Sequence, residues 1–179
     1  MAWNPFRKKK SEPESVDPLR LSLSDLKPGY VLDYDLKTWQ VTAHHTYDFD
    51  GDRIDEWELS SADEVRYLER EDDDGITWTL SQKIRLSDID GSLRTQLRNE
   101  EDPPEEVTCR GVTYYGESSS VGKFYQNGES PPRELIAWDY LDDTEKNTLS
   151  IEQWGDDEFE VSIGEIVEDY QFSSILPSA

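Results

Sequence analysis

The chain has 179 residues, of which 41 are Asp or Glu and 18 are Lys or Arg, giving a formal net charge of −23. Such a charge disfavours binding to nucleic acid or to an anionic lipid surface, and it favours cations, basic peptides or simple solubility. The single cysteine, Cys109, excludes an intramolecular disulfide. No segment approaches the roughly 18 apolar residues of a membrane-spanning helix, so we expect a cytoplasmic location.

Residues 1–22 predict a flexible basic and polar tail. It places Trp3 and Phe6 beside four consecutive cations: Arg7, Lys8, Lys9 and Lys10. This composition leaves two alternatives open. The segment is either a plain disordered tail or a peripheral anchor at the inner face of the membrane.

Residues 23–98 predict a first β repeat. A Pro28-Gly29 turn leads into a short strand at Tyr30–Tyr34, and Lys37–Tyr47 then alternates strictly. This alternation predicts a half-buried strand with Trp39, Val41, Ala43, His45 and Tyr47 on one face. Three more strands are predicted at 53–60, at 64–70 and after Gly75, which together indicate a β-meander.

The loop after Tyr47 contains Asp48, Asp50 and Asp52 around Gly51, which makes them weak candidates for a calcium site. A calcium loop needs a glycine at its sixth position and a glutamate at its twelfth. Arg53 and Leu59 occupy those positions. We therefore interpret the loop as the tip of a hairpin and expect no metal and no cofactor.

The two histidines, His44 and His45, are neighbours on a predicted strand and must point to opposite faces. They cannot bind one ion together. We expect His45, on the face of Trp39 and Val41, to be a hydrogen-bonded core or rim residue, and His44 to be solvated.

After an acidic, proline-containing linker at 99–106, residues 107–174 repeat the pattern, with a C-terminal tail at 175–179. The segment Glu56–Leu59 resembles Ala137–Tyr140, and Leu68-Glu69 matches Ile151-Glu152. Matched order and alternation indicate an internal duplication of roughly 75–83 residues. We predict an all-β fold of two antiparallel meanders, about five strands each, packed as one curled sheet or barrel-like unit.

Several motifs resemble those of a bacterial family of unknown function, DUF4178. They are Lys27-Pro28-Gly29, the segment Asp55–Leu59, the segment Tyr67–Glu69, and the segment Leu149–Gly155. The resemblance covers about residues 24–172 and supplies no catalytic residue. Members are encoded near phage-shock-like proteins, small membrane proteins and polyamine aminopropyltransferase-like enzymes. The resemblance therefore implies an accessory role in an envelope or stress system.

Acidic residues recur beside strand aromatics in both halves and form a candidate ligand or partner surface: Glu56, Trp57, Glu58, Glu69, Trp138, Asp139, Glu152 and Trp154. A flat aromatic beside carboxylates would bind a cationic or peptide ligand, although solvated outer-face acids are the favoured interpretation. No nucleophile elbow or phosphate loop occurs.

We therefore expect a non-enzymatic binding or adaptor protein that acts through an unidentified protein partner. The first alternative is a binder of a cation such as a polyamine, and the second is an uncharacterised enzyme.

Overall fold

The computed structural model describes residues 21–177 except residues 90, 92 and 101. The predicted anchor residues Trp3, Phe6 and Arg7–Lys10 lie outside the described residues. The strands of the first repeat are β1 (Val31–Tyr34), β2 (Lys37–Phe49), β3 (Asp52–Ser60), β4 (Val65–Asp72) and β5 (Ile76–Ile84). Helix α1 spans Leu93–Glu100. It is followed by β6 (Glu106–Cys109), β7 (Val112–Tyr125), β8 (Arg133–Asp142), β9 (Asn147–Gly155), β10 (Glu158–Val167) and β11 (Ser173–Leu176).

The strands form one antiparallel sheet in the order β11-β1-β2-β3-β4-β5-β10-β9-β8-β7-β6. In addition β2 pairs with β7, with Thr46 opposite Tyr125. This pairing closes eight strands, β2–β5 and β7–β10, into a ring and leaves β1, β11 and β6 outside it. The predicted all-β fold of two meanders is therefore confirmed.

The repeats are joined twice, and each junction pairs equivalent strands. β5 lies against β10, where Ser81 is opposite Gly164, and these two residues occupy the same position of their respective repeats. At the second junction Asp48 lies opposite Lys123, which are again equivalent positions. The ring is thus built by an approximate twofold relation between the two copies.

Two hydrophobic cores cover the outside of the ring. The first outer core takes apolar residues from β1–β5 and is closed by Leu23 and Leu26 before β1 and by Phe172 near the end. The second outer core takes equivalent residues from β6–β10 and is closed by Leu93 and Leu97 of α1. Successive residues of each strand point alternately into an outer core and into the ring. The outward-pointing residues are apolar, in keeping with the cores that cover them.

A bulge in β2 changes one prediction. The pairing of β2 with β3 shifts register between Val41 and Ala43, and one extra residue reverses the alternation. Trp39 and Val41 consequently lie in the first outer core, whereas Tyr47 lies in a cluster inside the ring. The predicted single face for Trp39, Val41 and Tyr47 is therefore wrong.

Two predicted boundaries also differ from the structure. Helix α1 lies in the segment assigned to the first repeat, but it covers the core of the second. At the other end, β11 pairs with β1 through Leu176 and Val31, and Ile175 packs against the first outer core. Ile175 and Leu176 therefore belong to the sheet rather than to a tail, because the edge of β1 offers them backbone partners.

Candidate ligand-binding site

The inside of the ring contains a small polar cavity of about 60 Å³. A closed ring of eight strands has an interior that side chains fill or that holds one small ligand. Here the lining includes two tyrosines, Tyr47 and Tyr67, and one lysine, Lys83. It also includes five acidic residues: Glu56, Glu69, Asp139, Glu152 and Glu160. Five carboxylates against one ammonium group would leave a charge of −4 if every group were ionised.

Strand alternation explains how acids come to lie inside. Trp57 in β3 and Leu68 in β4 point into the first outer core, so their neighbours Glu56 and Glu69 point into the ring. In the second repeat Ile151 points outward and Glu152 inward. The same rule that fills the outer cores with apolar residues therefore gathers the acids at the centre.

Glu56 and Glu69 are direct cross-strand partners on β3 and β4. Side chains opposite each other on one face have Cβ atoms about 4.5–5.5 Å apart, and like charges in such pairs are destabilising. At about 5 Å and an effective dielectric constant of about 20, two unit charges repel by about 3 kcal/mol. Ionising both carboxylates is therefore unfavourable, and a nearby cation reduces this cost.

Glu56 is the most deeply placed of these acids, with only 5% of its surface exposed. Among the described residues its carboxylate accepts no hydrogen bond and forms no ion pair within 4.0 Å, and the Lys83 ammonium group lowers its pKa from a greater distance. A buried carboxylate without a partner is costly, because nothing replaces the water it has lost. Burial therefore favours a proton on this group or a further cation close to it, since Lys83 opposes the effect of burial only in part.

Three acids inside the ring, Glu56, Glu69 and Glu152, are called the inner acids below. Burial and mutual repulsion both raise their pKa values. Burial, followed by the Glu152 carboxylate, raises the pKa of Glu56 to about 8. Burial, followed by Glu56 and Glu152, raises the pKa of Glu69 well above its ordinary value. Burial also raises the pKa of Glu152 to about 7, against the opposing effects of Lys83 and the Tyr47 hydroxyl. The inner acids thus hold protons near neutral pH when no cation is present.

Lys83 is the one cationic side chain lining the cavity. Its ammonium group donates a hydrogen bond to Glu160 and lies 5.0 Å from the centre of the Tyr67 ring. Burial opposes this charge, but the Glu160 hydrogen bond and the attraction of Glu160, Tyr67 and Glu56 together outweigh it, so the pKa of Lys83 is raised. Lys83 is therefore charged and paired with Glu160, and it compensates Glu56 and Glu152 only in part, because their pKa values remain raised.

The two ends of the cavity differ in polarity. Asp139 is exposed and accepts a hydrogen bond of 3.1 Å from Ser118. A neighbouring cleft of about 290 Å³ shares Glu69, Asp139 and Ser150 with the cavity, which makes this side the mouth. The apolar part of the lining belongs to a cluster, here called the apolar floor, formed by Tyr47, Phe49, Ile54, Phe124, Leu135, Ala137 and Trp154.

The predicted aromatic and acidic surface is divided between different faces. Trp57 and Trp138 are buried in the two outer cores, 2% and 6% exposed, so the expectation that they form a surface is wrong. Trp154 lies in the apolar floor beneath the Arg133 guanidinium, 4.7 Å from its ring. The favoured interpretation of solvated outer-face acids is also wrong for Glu56, because both faces of this sheet are covered.

Glu58 stands apart from the inner acids. It shares the inward alternation of β3, but its carboxylate accepts a hydrogen bond of 2.5 Å from Thr42, the residue at the β2 bulge. It does not line the cavity formed by the other acids. Of the predicted set, the structure therefore brings together Glu56, Glu69, Asp139 and Glu152.

The histidines point to opposite faces. His45 is buried and its Nδ1 accepts a hydrogen bond of 3.0 Å from the Asn127 amide, and burial lowers its pKa. His44 stacks on Trp57, with ring centres 4.9 Å apart, and its Nε2 lies 2.9 Å from Asp55. His44, predicted to be solvated, is partly so, with 34% of its side chain exposed, because its ring covers Trp57 of the first outer core.

The aspartate loop forms the tight hairpin turn between β2 and β3. Asp50 and Gly51 have φ values of 58° and 106°, and Asp48 accepts a hydrogen bond of 2.9 Å from the Gly51 amide. Across the described residues, no group of three or more His, Cys, Asp or Glu side chains is arranged to hold a metal ion. The Asp48 carboxylate therefore stabilises the turn.

None of the helices in the described part of the chain has the length and apolar character needed to cross a membrane.

Comparison with known proteins places the chain in a family. Residues 27–169 match the domain of unknown function DUF4178, so the chain belongs to that family. An uncharacterized protein of Aquifex aeolicus is 27% identical over 169 residues, which cover 94% of this chain and 93% of that protein. No solved structure matches the chain.

The titratable cavity residues that were missed from the sequence are Tyr47, Tyr67, Lys83 and Glu160. Lys83 continues the polar face of β5 after Thr79 and Ser81, and a polar face normally indicates solvent. Closure of the ring turns that face inward. No repeated acid marks these positions, since the equivalent of Lys83 is Ile166 and that of Glu160 is Thr77.

Proposed function

We propose that the protein is a non-enzymatic binding protein for a small cationic ligand, held inside the ring by Glu56, Glu69 and Glu152. The observation that carries this proposal is the Glu56 carboxylate, which is buried at the cavity without a hydrogen-bond or ion-pair partner among the described residues. An ammonium group would supply the missing hydrogen bonds and the missing charge together.

The size of the cavity limits the ligand. A volume of about 60 Å³ holds on the order of four water-sized groups at about 10–15 Å³ each. It therefore admits the end of a thin cation rather than a bulky one, with the remainder of the ligand lying in the cleft at the mouth. A polyamine has this shape, and it also agrees with the family resemblance, which implies neighbouring polyamine-related enzymes.

Isothermal calorimetry with spermidine tests the proposal. The titration should be made at about pH 9, above the pKa of about 8 for Glu56, and at low and physiological salt. We expect saturable binding that survives the higher salt, because a buried ion pair is screened far less than surface charge. Absence of binding, or its loss on modest salt addition, would overturn the proposal.

A pair of matched variants separates the cavity from the acidic surface. Glu56→Gln removes the inner charge with little change of shape, whereas Glu129→Gln removes an exposed charge outside the cavity lining. We expect Glu56→Gln to weaken spermidine binding by about tenfold or more and Glu129→Gln to leave it unchanged. Equal effects of the two variants would indicate diffuse attraction instead.

The adaptor role remains a second candidate. Edge strands are sites at which a partner strand can extend a sheet, and β11 is one end of the sheet order. Affinity capture from the host with the whole chain tests this role. The expected result is a partner retained at physiological salt by the protein and by Glu56→Gln alike. Loss of the partner in Glu56→Gln would contradict an edge-mediated interaction.

A further inference from the structure

We infer that the ring interior exchanges protons for its cationic ligand, so that binding at Glu56, Glu69 and Glu152 expels protons and acidification releases the ligand. This inference rests on the proposed function and adds the regulation of the same site. It starts from the geometry of the cavity, in which one small volume contains more carboxylates than its own lysine neutralises.

The cross-strand position of Glu56 and Glu69 requires the exchange. Two carboxylates opposite each other inside a closed ring disfavour each other's charge, and Lys83 offsets this only in part. A proton on one of them relieves the repulsion, and so does a bound ammonium group. Because both compensate the same charge in the same cavity of about 60 Å³, proton and ligand exclude one another.

The other groups that face Glu56 do not remove this requirement. His45 on β2 lies opposite Glu56, but it is held neutral because its Nδ1 accepts a hydrogen bond from the Asn127 amide. Lys83 on β5 is already paired with Glu160 on β10. The remaining charged or titratable neighbours are acidic or phenolic: Tyr47 on β2, Glu58 on β3, Tyr67 and Glu69 on β4, Asp139 on β8 and Glu152 on β9.

The raised pKa of Glu56, about 8, and that of Glu152, about 7, place the exchange around neutral pH. Below these values protons occupy the site, and above them the site is charged and open to a cation. Lowering the pH by two units below a pKa reduces the ionised fraction about 100-fold. We therefore expect the affinity for spermidine to fall by about 10- to 100-fold between pH 9 and pH 6.

Calorimetry in two buffers of different ionisation enthalpy measures the exchange directly. At about pH 7.5 the difference between the two apparent binding enthalpies should show about one proton released per spermidine bound, and Glu56→Gln should release fewer. Glu129→Gln serves as the control and should release as many as the unchanged chain. Binding with no proton released, and with equal affinity at pH 6 and pH 9, would overturn the inference but leave the proposed function intact.

A measurement without ligand gives an independent test. Infrared spectroscopy distinguishes a protonated carboxyl group from a carboxylate, and it should show protonated carboxyl groups at pH 7 that are lost on raising the pH to about 9. Glu56→Gln should remove part of that signal. Failure of the proposed function would appear separately, as no spermidine binding at pH 9. Absence of any protonated carboxyl signal at pH 7 would overturn the exchange.

Discussion

The two repeats build nearly the same outer core but different inner faces. Outward, Trp57 and Leu59 of the first repeat correspond to Trp138 and Tyr140 of the second. Inward, Glu69 has its counterpart in Glu152, but the position of Glu56 is occupied by Ala137 and that of Lys83 by Ile166. The deepest acid and the one internal cation therefore both come from the first repeat.

The outward-pointing residues form the packed scaffold of the protein, whereas the inward-pointing residues form the candidate site. Outer residues are constrained by close packing, so both repeats keep apolar groups there. Inner residues of the ring face a cavity, and packing restricts them less. A symmetric duplication would place two equivalent acids at the positions of Glu56 and Ala137, and the structure has one. The asymmetry therefore concentrates the unpaired charge at a single position.

The largest expected loss of stability comes from a substitution at Gly164, where β10 of the second repeat pairs with β5 of the first. A Cβ atom at Gly164 would lie 2.9 Å from the Leu80 carbonyl oxygen and 3.0 Å from the Ser81 Cβ, and backbone cannot easily move away. We expect Gly164→Ala to lower the free energy of unfolding by about 1–3 kcal/mol, measured by urea denaturation.

The matched change is Ser81→Ala at the equivalent position of β5. Ser81 is buried and already carries a Cβ, so we expect a loss below about 1 kcal/mol. If the two variants lowered the free energy of unfolding equally, the close contact at Gly164 would not be the cause of the loss, and the prediction would be wrong.

The next effect concerns the single deep acid. Folding raises the pKa of Glu56 from 4.5 to about 8, so its neutral form is favoured in the folded state. Its contribution to stability is fully present below pH 4.5 and is lost as the pH rises through about 8. Glu56→Gln should leave stability nearly unchanged at pH 5 and increase it by about 1–2 kcal/mol at pH 9. Denaturation at both pH values, with Glu129→Gln as control, measures this difference. An equal change at both pH values would contradict it.

The fold followed from the sequence because its determinants are local and repeated. Alternation, turn residues and the match between Ile76–Leu80 and Phe159–Ile163 each concern neighbouring residues. Ring closure through β2 and β7 involves only three paired positions, and no periodicity reveals such a pairing. The β2 bulge was missed for a related reason, since one inserted residue leaves the alternation of apolar letters intact.

The candidate site was predicted only in its composition. The sequence singled out Glu56, Glu69, Asp139 and Glu152 because they recur beside aromatics, but it could not determine which side of the strands they occupy. In an open sheet the face opposite Trp57 would be solvated. In a closed ring that same face is the interior, so Lys83 and Glu160 become neighbours of these acids although they are 77 positions apart.

The smallest effect concerns the turns before the two long strands. Leu36 has φ 60° and is fully exposed, at 106%, while the equivalent residue of the second repeat is Gly111 with φ 81°. The left-handed conformation costs a side-chain-bearing residue about 1–2 kcal/mol, and glycine avoids most of this cost. Because the greater freedom of glycine in the unfolded chain offsets part of the gain, we expect Leu36→Gly to stabilise the protein by about 0.5 kcal/mol. Gly111→Leu should destabilise it by about 1 kcal/mol in thermal or urea unfolding. A destabilising effect of Leu36→Gly would contradict the prediction, because the entropy cost of glycine would then exceed the relief of the left-handed conformation.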